Sequence, residues 1–172
     1  MGEVKVVAHD PTWSDAFDQE AALLSEALGD NVLAIHHIGS TAIPGIYAKP
    51  VIDILVEVGD LAVLDDGNAE MEALNYEVMG EFGIPGRRYF RKDNFKGIRT
   101  HQIHAFQVGS PQIARHIAFR DYLIAHPDAA RAYSELKARV AKETRTADEY
   151  MDGKDAFIRE IDIRAGGQRS AW

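Results

Sequence analysis

The chain contains no cysteine. That removes disulfides, thiolate metal sites and a cysteine nucleophile, and it fits a reducing cytosol. No apolar run approaches the ~18 residues that a membrane helix needs. The start, Met1-Gly2-Glu3-Val4-Lys5, lacks the apolar stretch of a signal peptide. The expectation is a soluble, cytoplasmic protein. Bases are in short supply, with 19 Lys and Arg against 27 acids and a formal net charge of -8. Such a surface repels nucleic-acid phosphates and anionic membranes unless its bases cluster. No membrane partner and no extended nucleic-acid surface are therefore expected. Internal repeats and low-complexity linkers are also missing. What is there is a chain of 172 residues, 46% hydrophobic, enough for one domain with its own core. Residues 1–164 read as that domain, and residues 165–172, with two glycines and no apolar period, as a flexible tail.

Val4 to Ala8 reads as a short edge strand. Asp10-Pro11 reads as a helix start, with Asp10 as cap and Pro11 in the first turn. Trp13, Phe17, Leu24 and Leu28 then mark one helix face, and Gly29 ends it. Val32–Ile38 reads as a strand, and Ala42–Lys49 as a loop or broken helical turn. Val51–Val58 is the strongest strand, apolar on both faces except at Asp53 and Glu57, as expected of a covered central strand. Leu61–Leu74 reads as a helix loosened at Gly67, and Tyr76–Phe82 as a strand. Arg87–Lys92 and Ile98–Gln107 form a predicted hairpin. Three helices follow, over Pro111–Ala125, after Pro127, and over Ala147–Ile163. Alternating strands and helices, followed by helices alone, predict one α/β (α+β) domain with a helical C-terminal part.

The chemistry concentrates in His37-Ile38-Gly39-Ser40-Thr41-Ala42-Ile43-Pro44-Gly45 and Lys49-Pro50-Val51-Ile52-Asp53-Ile54. Glycine lets a backbone approach a ligand closely. Turn amides and the Ser40 and Thr41 hydroxyls could hold phosphate oxygens. Asp53 is an acid in an apolar strand, and burying it demands a metal, an arginine or hydrogen bonds. Asp53 and Glu57 share a strand face with their Cα atoms roughly 13 Å apart, too far for one ion to bridge, and Glu57 is expected to be solvated. Ser40 is not set in Gly-x-Ser-x-Gly, so it is not read as a nucleophile.

This Gly-Ser turn followed by an in-strand acid resembles the nucleotidyltransferase superfamily signature. The wording resembles the GrpB-like family more closely. Arg99-Thr100-His101-Gln102-Ile103-His104, His116-Ile117-Ala118-Phe119-Arg120-Asp121-Tyr122-Leu123, Tyr150, Lys154-Asp155-Ala156-Phe157-Ile158 and Trp13 carry the resemblance from about Pro11 to Ile163. It implies a nucleotidyltransferase-like mixed sheet flanked by helices, in a bacterial family whose domains also occur fused to dephospho-coenzyme A kinases. It implies Gly39 and Ser40 as phosphate contacts, Asp53 as catalytic metal ligand, and Mg²⁺ (or Mn²⁺) as cofactor for in-line transfer. The superfamily pattern places a second carboxylate at position 55, where this chain has Leu55, and a third on the strand ending at Gln107, an amide. His104 is the remaining candidate ligand on that strand, and Asp53 with His104 suits zinc or manganese better than magnesium.

Two readings stay open: a metal-assisted nucleotidyl or phosphoryl transferase, and a non-catalytic module that binds a nucleotide or other phosphorylated small molecule. Arg87, Arg88, Arg91, Lys92, Lys96 and Arg99 are opposed within the hairpin only by Asp93, either as an anion site or as charges protecting a sheet edge. Lys49 is a phosphate contact or a loop charge. Tyr150 and Lys154, at i and i+4, reach the pocket or pack the helix. His101 and His104 lie on opposite strand faces, as do His36 and His37, so neither pair forms a metal cluster.

Overall fold

The computed structural model describes residues 5–166. Helix α1 (Thr12–Leu28) leads into strand β1 (Val32–Ile38), then β2 (Ile52–Val58), α2 (Leu61–Asp66), α3 (Asn68–Ala73), β3 (Glu77–Val78), β4 (Arg87–Asp93) and β5 (Arg99–Gln107). Helices α4 (Pro111–Ala125), α5 (Pro127–Glu143) and α6 (Ala147–Arg164) close the chain. The sheet runs β1-β2-β5-β4-β3, with β2 and β5 parallel and the other neighbours antiparallel.

Alternation along the strands sorts side chains onto two faces. One face, with Ile52, Ile54, Val56, Val58, Phe90, Ile103 and Ala105, packs under Trp13 and Leu24 of α1, Leu64 of α2 and Met71 of α3. Each such fully buried aliphatic or aromatic side chain contributes about 1.5–3 kcal/mol. The other face buries Ile38, Leu55 and Phe106 against Ile113 of α4. Beyond it, α4, α5 and α6 enclose a further core of Phe119, Leu123, Tyr133, Ile158 and Ile161, joined by Ile43 and Ile46 of the β1–β2 loop. Helices α5 and α6 cross closely at Gly153, where an added Cβ would sit 2.6 Å from Val140 Cγ1.

Several local expectations shift. Val7 makes only an isolated bridge to Ala48, and Val4 lies outside the described residues, as does most of the expected tail. Asp10 Oδ1 accepts from the Thr12 amide at 2.9 Å, while Pro11 occupies the cap position. The strand expected over Tyr76–Phe82 is confined to Glu77–Val78. Gly80 and Phe82 adopt positive φ, which breaks the extended strand conformation. Gly67 does divide a helical stretch, separating α2 from α3.

Candidate functional site

The parallel pairing of β2 with β5 sets Asp53 beside Gln102 and Leu55 beside His104. Asp53, Gln102 and His104 thereby look toward the C-terminal helices. Between them lies a cavity of about 180 Å³, floored by Asp53, Gln102 and His104 and walled by the Gly39–Thr41 turn and Lys49. Its roof comes from His116 and Phe119 of α4, Tyr133 of α5, and Tyr150, Met151 and Lys154 of α6.

The turn and the acid meet. Gly39 has φ 73° and ψ -170°, and a Cβ there would lie 2.8 Å from Asp53 Oδ2. Only glycine lets the turn close onto the carboxylate. The turn is braced from both sides. The Thr41 hydroxyl is bonded to His37 Nε2 at 2.9 Å, so it serves the turn itself. The Ser40 hydroxyl is hydrogen-bonded to that of Tyr133. Arg120 Nη1 donates to the His37 carbonyl at 3.0 Å, tying α4 to the end of β1.

Asp53 heads a line of three side chains. Arg87 Nη1 lies 3.2 Å from His104 Nδ1, and His104 Nε2 lies 3.3 Å from Asp53 Oδ1. A guanidinium only donates, so Nδ1 accepts, and Nε2 must carry the proton that it gives to Asp53. Both imidazole nitrogens are therefore occupied. In this arrangement His104 braces the Asp53 carboxylate. Arg87 is itself buried, and its remaining donors reach the carbonyls of Glu81 and Phe82.

The cations facing this line are lysines. Lys49 Nζ and Lys154 Nζ sit over the Tyr150 ring, 5.3 Å and 4.4 Å from its centroid. Lys137 of α5 is 1% exposed, and its Nζ lies 4.6 Å from the Tyr133 centroid with no hydrogen-bond partner among the described residues. Burial, then the neighbouring ammonium groups of Lys154 and Lys49, pull Lys137 down to about 6. Burial and Lys49 bring Lys154 to about 8. Burial lowers Lys49 as well, with Asp53 opposing. Tyr133 is raised to about 12 by burial. His116 is held down to about 3, chiefly by burial, and is a neutral wall of the cavity.

The basic hairpin is a different matter. Arg88 forks onto Asp65 at 2.7 and 3.2 Å on the opposite sheet face. Arg91 pairs with Glu77, and Arg99 with Asp93. Their charge is met by acids on β3, α2 and the hairpin itself, so Arg88, Arg91 and Arg99 are not brought to the cavity lining. Arg87 reaches it only through His104. Gln107 is not the third floor position either, since its Oε1 accepts from the Leu61 amide. That position is Gln102. Glu57, expected in solvent, is bonded to His36 of β1.

The residues expected to converge, Gly39, Ser40, Asp53, Lys49, His104 and Lys154, do line one cavity. Reading strands and turns missed Gln102 in the lining and Lys137 behind it. The signal for Lys137 was there: it stands on the buried stripe Ala130, Tyr133, Lys137, Val140 of α5, where apolar residues belong.

A magnesium or manganese pair does not fit this donor set. Leu55 is fully buried, Gln102 is an amide, and His104 is engaged at both nitrogens. Asp53 is left as the one carboxylate in the lining. Among the described residues no group of three or more His, Cys, Asp or Glu could hold a metal.

This arrangement of mixed sheet, Gly-Ser turn and in-strand acid is a nucleotidyltransferase-like fold. Terminal uridylyl transferase 4 from Trypanosoma brucei shares it with a TM-score of 0.55 over 95% of this chain and 57% of that one, at 11% identity. The GrpB protein family model matches residues 3–164, and the chain belongs to the GrpB family. The crystal structure of GrpB from Enterococcus faecalis superposes with a TM-score of 0.89 at 44% identity, covering 94% of this chain and 96% of that one. The Bacillus subtilis UPF0157 protein YqkA is 41% identical over 95% of this chain, which spans 47% of that longer protein. No described helix is long and apolar enough to cross a membrane.

Proposed function

We propose that the cavity binds a phosphorylated small molecule, nucleotide or otherwise, and that the protein acts as a binding module. The observation that carries this reading is the pair of lysines in the lining, Lys49 and Lys154, backed by Lys137, a buried side chain without a hydrogen-bond partner among the described residues. Gathering three lysines in a place with little water sets their charges against one another. An anion in the cavity offsets that repulsion. The Gly39–Ser40 turn and Tyr133 then border the anion, and Phe119 and Met151 offer apolar surface to the rest of the ligand.

Metal-assisted nucleotidyl transfer is the second reading. One observation favours it, the contact of Asp53 with the Gly39 turn. The donor set described above supports binding better than transfer.

The test is thermal unfolding of the protein against a panel of mono-, di- and triphosphorylated compounds, followed by assay for product. Binding at 100-fold excess over Kd raises stability by about 2.7 kcal/mol. Stabilisation without turnover is the expected result. A flat response to every compound would sink both readings, and metal-dependent turnover abolished by Asp53→Ala would establish the second.

A further inference from the structure

We infer that the cavity takes one or two phosphoryl groups bare of divalent metal, with Lys49, Lys137 and Lys154 supplying the positive charge that metal ions would otherwise bring. The inference rests on the phosphate-binding reading and narrows its ligand.

The argument is one of charge balance in a place with little water. Asp53 is the carboxylate of the lining, and its charge is directed through His104 toward the buried Arg87 guanidinium. The three lysines lie on the other side, arranged about Tyr133 and Tyr150. Lys49 and Lys154 line the cavity with Lys137 behind them, so up to three ammonium charges can face an anion, the third when that anion draws a proton onto Lys137. A phosphomonoester carries about -1.5 to -2 near neutral pH, and a diphosphate about one charge more. Either matches the lysines. A triphosphate exceeds them by about one charge and calls for an added cation, which the floor of Asp53, Leu55 and Gln102 is not built to hold. Lys49 and Lys154 stand in the lining, where an entering oxyanion gains charge-assisted bonds. Lys137 stands behind them, its enclosed Nζ 4.6 Å from the Tyr133 centroid, and acts on the anion through its charge.

The experiment titrates the full chain calorimetrically with inorganic phosphate, pyrophosphate and tripolyphosphate, each in EDTA and in excess Mg²⁺ or Mn²⁺. Phosphate or pyrophosphate binding in EDTA, undiminished relative to the metal-containing buffers, is expected. Lys137→Met and Lys154→Gln should each weaken pyrophosphate by about tenfold or more, while the melting temperature of Lys137→Met stays level or rises. Binding that requires the metal, a preference above about tenfold for metal-tripolyphosphate, or unchanged affinity in both variants overturns the inference and leaves phosphate binding standing. Silence from all three probes and from nucleotides with metal removes the underlying reading as well.

Discussion

The two faces of the sheet each bury charge, and they do so in opposite ways. Under α1, Glu20 is 6% exposed and is met by Lys92, by the Tyr76 hydroxyl at 2.7 Å and by His101 at 3.7 Å. Burial pushes the Glu20 carboxyl up, but the bonds from Lys92 and Tyr76 win and hold it below its ordinary range. This cluster is complete: one acid, its cation and two further polar neighbours. Under α4–α6, three lysines gather around two tyrosine rings, and Asp53 is already claimed by His104. A balanced cluster needs nothing more and braces the fold. An unbalanced one beside a cavity is what the proposed anion would complete.

Substitutions should separate the two. The largest expected effect is Glu20→Ala, which strips the half-buried Lys92 and the buried Tyr76 hydroxyl of their shared acid and costs about 3 kcal/mol in urea denaturation. Phosphate affinity of the folded fraction should not change. Gly39→Ala comes next. Its strained φ costs about 1–3 kcal/mol, and the Cβ displaces Asp53, so ligand binding should fall with stability. If calorimetry finds wild-type affinity, the contact between turn and acid is irrelevant to the site.

Lys137→Met should move the other way, raising the stability of the unliganded protein by about 1–3 kcal/mol near neutral pH. The sign follows from proton counting. Lys137 titrates near 6 in the folded protein and near about 10.4 unfolded. Between those values the unfolded chain holds a proton that the folded one lacks, so stability falls as pH drops from about 10 toward 6. The advantage of Lys137→Met should therefore widen over that descent, by at most about 1.4 kcal/mol per pH unit. A gap that is constant with pH in chemical denaturation would mean that Lys137 is charged throughout. The smallest effect belongs to Arg88→Gln. Its pair with Asp65 is partly solvated and worth about 0–1 kcal/mol, and phosphate affinity should stay as in wild type; a loss of affinity would return the hairpin to the site.

The order of strands and helices was legible because periodicity and turn chemistry are local. β1 over Val32–Ile38 and α4 over Pro111–Ala125 fall where the pattern puts them. The meeting of Gly39 with Asp53 was also legible, since a short loop joins their strands. The identity of the floor was not. Which residue faces Asp53 depends on the register of two strands separated by four other elements, and that register selects Gln102 rather than Gln107. Arg88 and Arg91 looked like anion ligands because their acids, Asp65 and Glu77, come from elsewhere in the chain. Lys137 went unread although it stands on the apolar stripe of α5, because a single lysine there gains meaning only once packing covers it.

Gly153 sits in the middle of α6, where glycine weakens a helix by about 1 kcal/mol relative to alanine. Its missing methyl lets the Val140 side chain nest against bare backbone, and the same crossing carries Lys137 on one rod and Lys154 on the next, each one turn or less from the contact. The height of the roof is thus set by a glycine just behind it. Any broader side chain there would lever the rods apart and spread the charges, reshaping the cavity without altering a residue of its lining.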